Sequence, residues 1–541
     1  MPKDADNNNS GTENLTTLET TYKSYNDYFT DFDISKATIT EEDYTGKGTK
    51  SDPFVVHSTR GFLYLTNSAE SGISLGGKYL ELECDVVLNN EVFDENGEIV
   101  EGDGVVYSFE TFLIGSGVES IDGNNHSIIG AYQNRPTATW VQLFYNVKNV
   151  VDLKFENVCF IGYSFVSAFG YIEYAYNLKI LSGTFITLKD ANCASIAYSV
   201  TKMINCENYA SVKGVYYVAG LAVCTRGIDI VIKDCVNYGN VTSSGHFVCG
   251  ILGYVEDFTI ENCKNYGNIK SIGGVFLGGI SWDYFADNDV STYVNCGNYG
   301  TLEAGHTIGG IVACGNKLDL IGCANYGRII CRDKTAGNRV CGELVGNVTY
   351  NDNYNTQVNI IDCCVCSISG EAIMGSVSAS KAGKTKTVVN ISNLMYVLNF
   401  HEVDSFNSVI CTTNQRGKPN IFVSNIEIIN TTEESVCLFY APLDFNVTIK
   451  NLCYQAKEKQ DFSGFVCLPY YNDKNNFKVD CLVAYSTKEN KGCYYGSKFD
   501  KFFVDHKTGN IGLKAFSGRG TFQGKVTEDL MQKREYEKKT I

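Results

Sequence analysis

At 541 residues, with a formal net charge of −16, 52 glycines, 35 tyrosines and six prolines, the chain is acidic and rich in turns. An acidic surface repels phosphate backbones, which argues against nucleic-acid binding, and no apolar run approaches the about 18 residues of a membrane-spanning helix, so no membrane insertion is expected. A hydrophobic content of 44% is that of a folded protein, and a length that would ordinarily mean several domains is also what a solenoid reaches by adding coils.

Taken in order, residues 1–45 read as a polar, mobile start followed by an aromatic arm carrying Tyr22, Tyr25, Tyr28, Phe29 and Phe32. Such an arm either caps the first coil, hiding its open apolar end, or docks on a partner. The first ten residues lack the apolar core of a signal peptide. With no anchor segment at the other end, the expectation is a protein made in a reducing cytoplasm.

Residues 46–200 hold irregular strand-like segments, among them Gly77-Lys-Tyr-Leu-Glu-Leu-Glu-Cys-Asp-Val-Val-Leu88 and Phe144-Tyr-Asn-Val-Lys-Asn-Val-Val-Asp-Leu-Lys-Phe155. Val92 to Val100 reads as a hairpin with its turn at Asn96-Gly97.

Residues 201–370 carry the organising repeat. One phrase returns at Cys206-Glu-Asn-Tyr-Ala, Cys235-Val-Asn-Tyr-Gly, Cys263-Lys-Asn-Tyr-Gly, Cys296-Gly-Asn-Tyr-Gly and Cys323-Ala-Asn-Tyr-Gly, its cysteines 29, 28, 33 and 27 residues apart. Each phrase is answered 14 to 19 residues later by a glycine leading an apolar run (Gly220, Gly250, Gly279, Gly310, Gly342). A period in this range marks a stacked repeat architecture. The alternation before the cysteines, as in Phe258-Thr-Ile-Glu-Asn-Cys263, is that of strands with one buried face. Asn-Tyr-Gly supplies turn residues that tolerate positive φ. Pre-cysteine strand, short post-turn strand and glycine-led strand make three strands per coil. The chain is therefore predicted to be all-β, a right-handed parallel β-helix.

Coils about 4.8 Å apart set like residues above like. Cys206, Cys235, Cys263, Cys296 and Cys323 are then an inward ladder of compact, reduced thiols. Asn208, Asn237, Asn265, Asn298 and Asn325 stack at the bend, their amides bonding along the axis. Most of the 22 cysteines follow the repeat or sit in apolar strands, and ladder positions rarely have disulfide geometry. Cys363-Cys-Val-Cys366 has no second Cys or His pair at zinc spacing, so neither a metal nor a cofactor is expected.

Residues 371–495 lose the phrase but keep an alternating rhythm, as in Asn420-Ile-Phe-Val-Ser-Asn-Ile-Glu-Ile-Ile-Asn430, and read as further coils. Residues 496–541 read as a hairpin around Thr508-Gly-Asn510 followed by a short charged helix starting near Thr527.

The repeat resembles the glycine-rich GLUG-type repeats of bacterial and phage surface proteins, and Gly48-Thr-Lys-Ser-Asp-Pro-Phe-Val-Val-His57 resembles the opening segment of such solenoids. The last 40 or so residues resemble the closing stretch of phage fibre and appendage proteins. These resemblances imply a virion appendage, fibre-like or spike-like, homo-oligomeric or bound to other virion proteins. It would engage host-surface polysaccharide or protein without catalysis. A bacterial surface adhesin and a polysaccharide lyase or hydrolase on the same scaffold are the alternatives.

No nucleophile elbow, phosphate loop or His-Glu-x-x-His motif is present, and the six histidines (57, 126, 246, 306, 401, 506) are scattered. The most suggestive stretch is the insertion that sets Trp282 beside Asp283, Tyr284, Asp287 and Asp289. Ring faces with nearby acceptors suit a sugar, and loops on a rigid scaffold commonly carry function. The competing reading packs those aromatics back onto the coil.

Overall fold

The computed structural model describes residues 38–66, 71–89, 92–93, 99, 117–189, 192–226, 230–255, 258–273, 276–283, 290–333, 340–349, 355–379, 385–399, 408–416, 419–431, 437–441 and 446–456, and short strands between 464 and 513. The chain divides into two compact units, Met1–Arg226 and Gly227–Ile541. Each is a parallel β-solenoid, as the repeat period predicts.

In the first unit the strand Phe54–Val56 pairs in parallel with Tyr79–Leu82, and the same stack continues through Val118–Asp122, Phe144–Val151, Phe169–Tyr176 and Ala197–Ile204. A second wall runs from Tyr132–Arg135 through Val158–Gly162 and Gly183–Thr187 to Ser211–Gly214. Tyr44–Thr45 adds an antiparallel strand to Phe54–Val56. The helix Thr59–Thr66 follows, with Phe62, Leu63 and Leu65 buried. Ser58 caps it, its Oγ accepting from Gly61 N–H at 3.0 Å. Residues 1–37 of the expected cap or docking arm lie outside the described residues. So does the turn of the hairpin expected at 92–100, whose flanks form the antiparallel bridge Phe93↔Ile99.

The second unit holds the regular coils. Thr259–Glu261 pairs with Ser291–Val294, Lys264–Asn265 with Gly297–Asn298, Ile269–Ser271 with Leu302–Ala304, and Phe276–Gly278 with Thr307–Gly309. Ser281–Asp283 meets Val312–Gly315 one coil on. The three runs of the sequence reading are thus resolved into five short strands, because two further bends divide them. One falls at the glycine-led step (Gly279-Ile280), the other immediately before the cysteine. Inside, Ile232, Ile260, Tyr293, Leu320 and Ile360 lie one above another, all buried. Such burial removes about 2 kcal/mol of apolar exposure per side chain.

The bend before the cysteine corrects the sequence reading of the turn. Positive φ sits at Asp234, Asn262, Asn295, Gly322 and Asp362, and not at the Asn-Tyr-Gly asparagines. The first unit uses Asp152, Asn177 and Asn205 in the same way, before Leu153, Leu178 and Cys206. Asn and Asp reach the left-handed region more easily than other side chains, and here they also bond along the axis. Asn262 Nδ2 donates to Asp234 Oδ1 at 2.9 Å, and Asn295 Nδ2 to Asn262 Oδ1 at 3.3 Å. Gly267, Gly300 and Gly327 answer to close approach instead. A Cβ there would lie 1.9, 2.0 and 2.1 Å from the carbonyl oxygens of Gly239, Gly267 and Gly300. From this assignment Asn295→Val is expected to cost about 2 kcal/mol in chemical unfolding and Asn295→Gly well under half of that. Equal losses would remove conformational strain as the reason for asparagine there.

Beyond residue 370 the stacks continue with longer strands: Thr387–Leu398, Asn420–Asn430 and Asn446–Ala456 in parallel register, and Ala372–Ser378, Ser408–Arg416 and Cys437–Ala441 beside them. Asn393 and Asn425 keep the left-handed bend inside two of the long strands. Phe502–Asp505 and Asn510–Leu513 form the antiparallel pair of the expected C-terminal hairpin. The helix expected near Thr527 lies outside the described residues. Among those described, no helix is long and apolar enough to cross a membrane.

Candidate functional site

The solenoid turns each coil of the repeat into one rung of several parallel side-chain columns. Innermost are the thiols. Cys206 is buried in the first unit, and Cys235, Cys263, Cys296 and Cys323 are buried in the second, each at 1% exposure or less. Burial pushes the Cys263 and Cys323 thiols up from their ordinary range, so thiolate chemistry is suppressed there. The sulfurs donate instead to backbone carbonyls of the preceding coil, Cys296 to Ile260 O at 3.4 Å and Cys323 to Tyr293 O at 3.4 Å. Strand alternation splits the Cys363-Cys-Val-Cys366 cluster, burying Cys363 and leaving Cys364 and Cys366 half-buried on the other face. Among the described residues, no three His, Cys, Asp or Glu side chains are grouped to hold a metal ion.

Beside the thiols runs the asparagine column. In the second unit Asn237 Nδ2 donates to Asn265 Oδ1, Asn265 to Asn298 and Asn298 to Asn325, each at 2.8 Å. Each amide also donates to the carbonyl two residues on, at Gly239, Gly267, Gly300 and Gly327. In the first unit Asn208 makes the matching bond to Ala210 O at 3.0 Å.

The column ends on a carboxylate that the sequence reading passed over. Asn325 is level with Val365 in the next coil, which cannot accept. Glu343 takes the place instead, accepting from Asn325 Nδ2 and Ser367 Oγ. Glu343 is fully buried, and burial, aided by the charge of Glu371, pushes its carboxyl up to about 8 against the Ser367 and Asn325 bonds that favour ionisation.

The phrase's tyrosines form the outermost column. Tyr238, Tyr266 and Tyr299 are 41%, 41% and 39% exposed. From Tyr238 through Tyr266 and Tyr299 to Tyr326 the rings stack with centroids 5.2, 4.6 and 5.2 Å apart, the planes within 22° of parallel. Stacking covers the ring faces, so what faces solvent is a row of hydroxyl-bearing edges repeating at the coil rise.

At the start of the insertion Trp282 packs onto the coil, as the competing reading has it. Trp282 is 3% exposed and its ring packs on Phe247 and Phe276, centroids 4.1 and 6.4 Å away. That packing takes up the faces a sugar would need. Asp283 closes the strand Ser281–Asp283, and Tyr284, Asp287 and Asp289 lie outside the described residues. His246 is exposed, while His306 is half-buried with Nδ1 3.1 Å from Thr307 Oγ1.

No family model matches the chain, and no curated protein matches it. Among solved structures it is similar to one from Bacteroides ovatus that carries the provisional description of an immunoglobulin A1 protease. That likeness has 18% identity and a TM-score of 0.34, and covers 50% of this chain and 79% of the other.

Proposed function

We propose that the chain is a phage appendage protein that presents its solenoid wall to a host-surface polysaccharide. The observation that carries this reading is the stacked column Tyr238–Tyr266–Tyr299–Tyr326, exposed at its first three rings and half-buried at Tyr326. A polysaccharide is a polymer of repeating hydroxyls, and a rigid row of phenol edges matches a periodic ligand with periodic donors and acceptors. Preorganisation by the coils removes the ordering cost that flexible side chains would bring. Several weak contacts repeated in register add to one useful affinity.

The test is adsorption of the full chain to host-surface polysaccharide, with Tyr266→Ser/Tyr299→Ser beside the parent and folding checked by circular dichroism. Binding should weaken at least about tenfold, since two central contacts are lost at roughly 1 kcal/mol each. Equal binding by parent and double variant would remove the tyrosine column from the reading. Absence of the protein from virions examined by immunogold electron microscopy would remove the appendage.

A further inference from the structure

We propose that Thr45, His57 and Glu83, in the first unit, form a hydroxyl–imidazole–carboxylate relay that takes a small acyl group from a carboxylic ester. Thr45 Oγ1 lies 3.0 Å from His57 Nε2, and His57 Nδ1 lies 3.0 Å from Glu83 Oε2. A hydroxyl hydrogen-bonded to an imidazole whose other ring nitrogen stands beside a carboxylate is an arrangement that can activate the hydroxyl. The relay runs through one tautomer of the His57 ring. With its hydrogen on Nδ1, beside the acceptor-only Glu83 carboxylate, the ring turns the Nε2 lone pair to the hydroxyl. Thr45 O–H is then the donor, as an attacking hydroxyl must be.

The three backbones are pinned independently. Thr45 is in register with Val55 on the antiparallel strand pair. His57 N–H donates to Asp43 O at 2.9 Å, and Glu83 N–H to Val56 O at 2.9 Å. Asp43 is itself fixed. Its carboxylate accepts from Arg60 Nε and Nη2 at 2.6 Å each and from Ser58 Oγ at 2.8 Å. Those bonds, with Thr40 N–H, outweigh desolvation and hold its carboxyl at about 2. A site carried on strands with its supports locked in this way is preorganised. The relay is also open: Thr45 and His57 are half-buried and the Glu83 side chain is 60% exposed. An ester on a chain lying along the surface can therefore reach it.

The chemistry balances without any further group. Thr45 Oγ forms a bond to the acyl carbon while its proton passes to His57 Nε2, and the ester C–O bond breaks as that proton moves to the leaving alcohol. Water then attacks the acyl-threonine with His57 as base, releasing the acid and restoring the hydroxyl. Glu83 acts through His57 and is a positioning residue. This activity goes beyond the binding role and stands on different residues in a different unit.

The experiment uses the full chain and p-nitrophenyl acetate, following nitrophenol release and mapping the acetyl group by mass spectrometry. The expected result is an acetyl group on Thr45, with release at least about 100-fold slower in Thr45→Val and His57→Ala and retained in Thr45→Ser. Glu83→Gln should lower kcat with KM unchanged, a split that loss of folding would not give. No release above buffer, release unaffected by Thr45→Val, or an acetyl group that maps elsewhere would each overturn the proposal.

Discussion

Asn298→Ala is expected to destabilise the second unit by roughly 3 to 5 kcal/mol in chemical unfolding. Asn298 is fully buried. It accepts from Asn265 at 2.8 Å and donates to Asn325 at 2.8 Å and to Gly300 O at 3.0 Å. Truncation leaves an amide hydrogen of Asn265 and the Gly300 carbonyl without partners, each at about 1 to 3 kcal/mol, and opens a small cavity. It also strips Asn325 Oδ1 of a donor, though Gly327 N–H still reaches that oxygen at 3.3 Å. The neighbouring coils cannot relax into the gap. A Cβ at Gly279 would stand 1.9 Å from Gly310 O and 2.9 Å from the Asn298 Cβ, so the backbone is already packed closely around the amide. A double-mutant cycle with Asn265→Ala should show coupling of more than about 1 kcal/mol, since both changes break the same bond. A loss under about 1 kcal/mol with no coupling would mean that the column is ornamental and that the coils are held by apolar packing alone.

The repeat made the solenoid and both inner columns legible because each depends on identity at a fixed period. A cysteine or asparagine that recurs every coil must stand above its own kind once the strands are parallel. The bend before the cysteine was harder to see. Asn205, Asp234, Asn262, Asn295, Gly322 and Asp362 vary in identity, and what recurs is a backbone conformation. Tyr238 and its successors were visible as residues, but whether they face in or out depends on which neighbour takes the bend. Trp282 stayed ambiguous for a related reason, since one tryptophan in an inserted stretch reads alike as ligand platform or wall packing until Phe247 and Phe276 are brought beside it. The Thr45–His57–Glu83 group was beyond reach of spacing. Its members come from three separate strand ends 12 and 26 residues apart, and only the antiparallel turn and the first coil bring them together.

Glu343→Gln is expected to make the protein more stable at about pH 8.5 and to flatten the fall in stability between about pH 5 and 8. The register explains why a carboxylate is there at all. Gly309 is level with Gly342, so Glu343 stands in the column of Gly250, Gly279 and Gly310, where an added Cβ would meet the next coil's backbone carbonyl at 1.9 to 2.2 Å and then its Asn265, Asn298 or Asn325. In the coil after Glu343 that asparagine is Val365. The space the amide would fill is open to the glutamate, and the unanswered Asn325 amide needs an acceptor. Two exceptions to the repeat, Glu for Gly and Val for Asn, thus answer each other. The folded-state carboxyl sits at about 8 against an ordinary 4.5. Between those values the folded protein keeps a proton that the unfolded chain releases. The unfolded state then binds fewer protons, and stability falls as pH rises through the window. An offset of roughly three to four pH units corresponds to a loss of order 5 kcal/mol, fully present only above the folded value. The carboxamide introduced by the substitution would accept from Asn325 as the acid does and cannot ionise, so that loss disappears. Unfolding midpoints of parent and variant should nearly coincide at about pH 5 and separate at about pH 8.5, with the variant higher. Parallel pH profiles would show that Glu343 is ionised in the folded protein, and the asparagine column would then end on a charge.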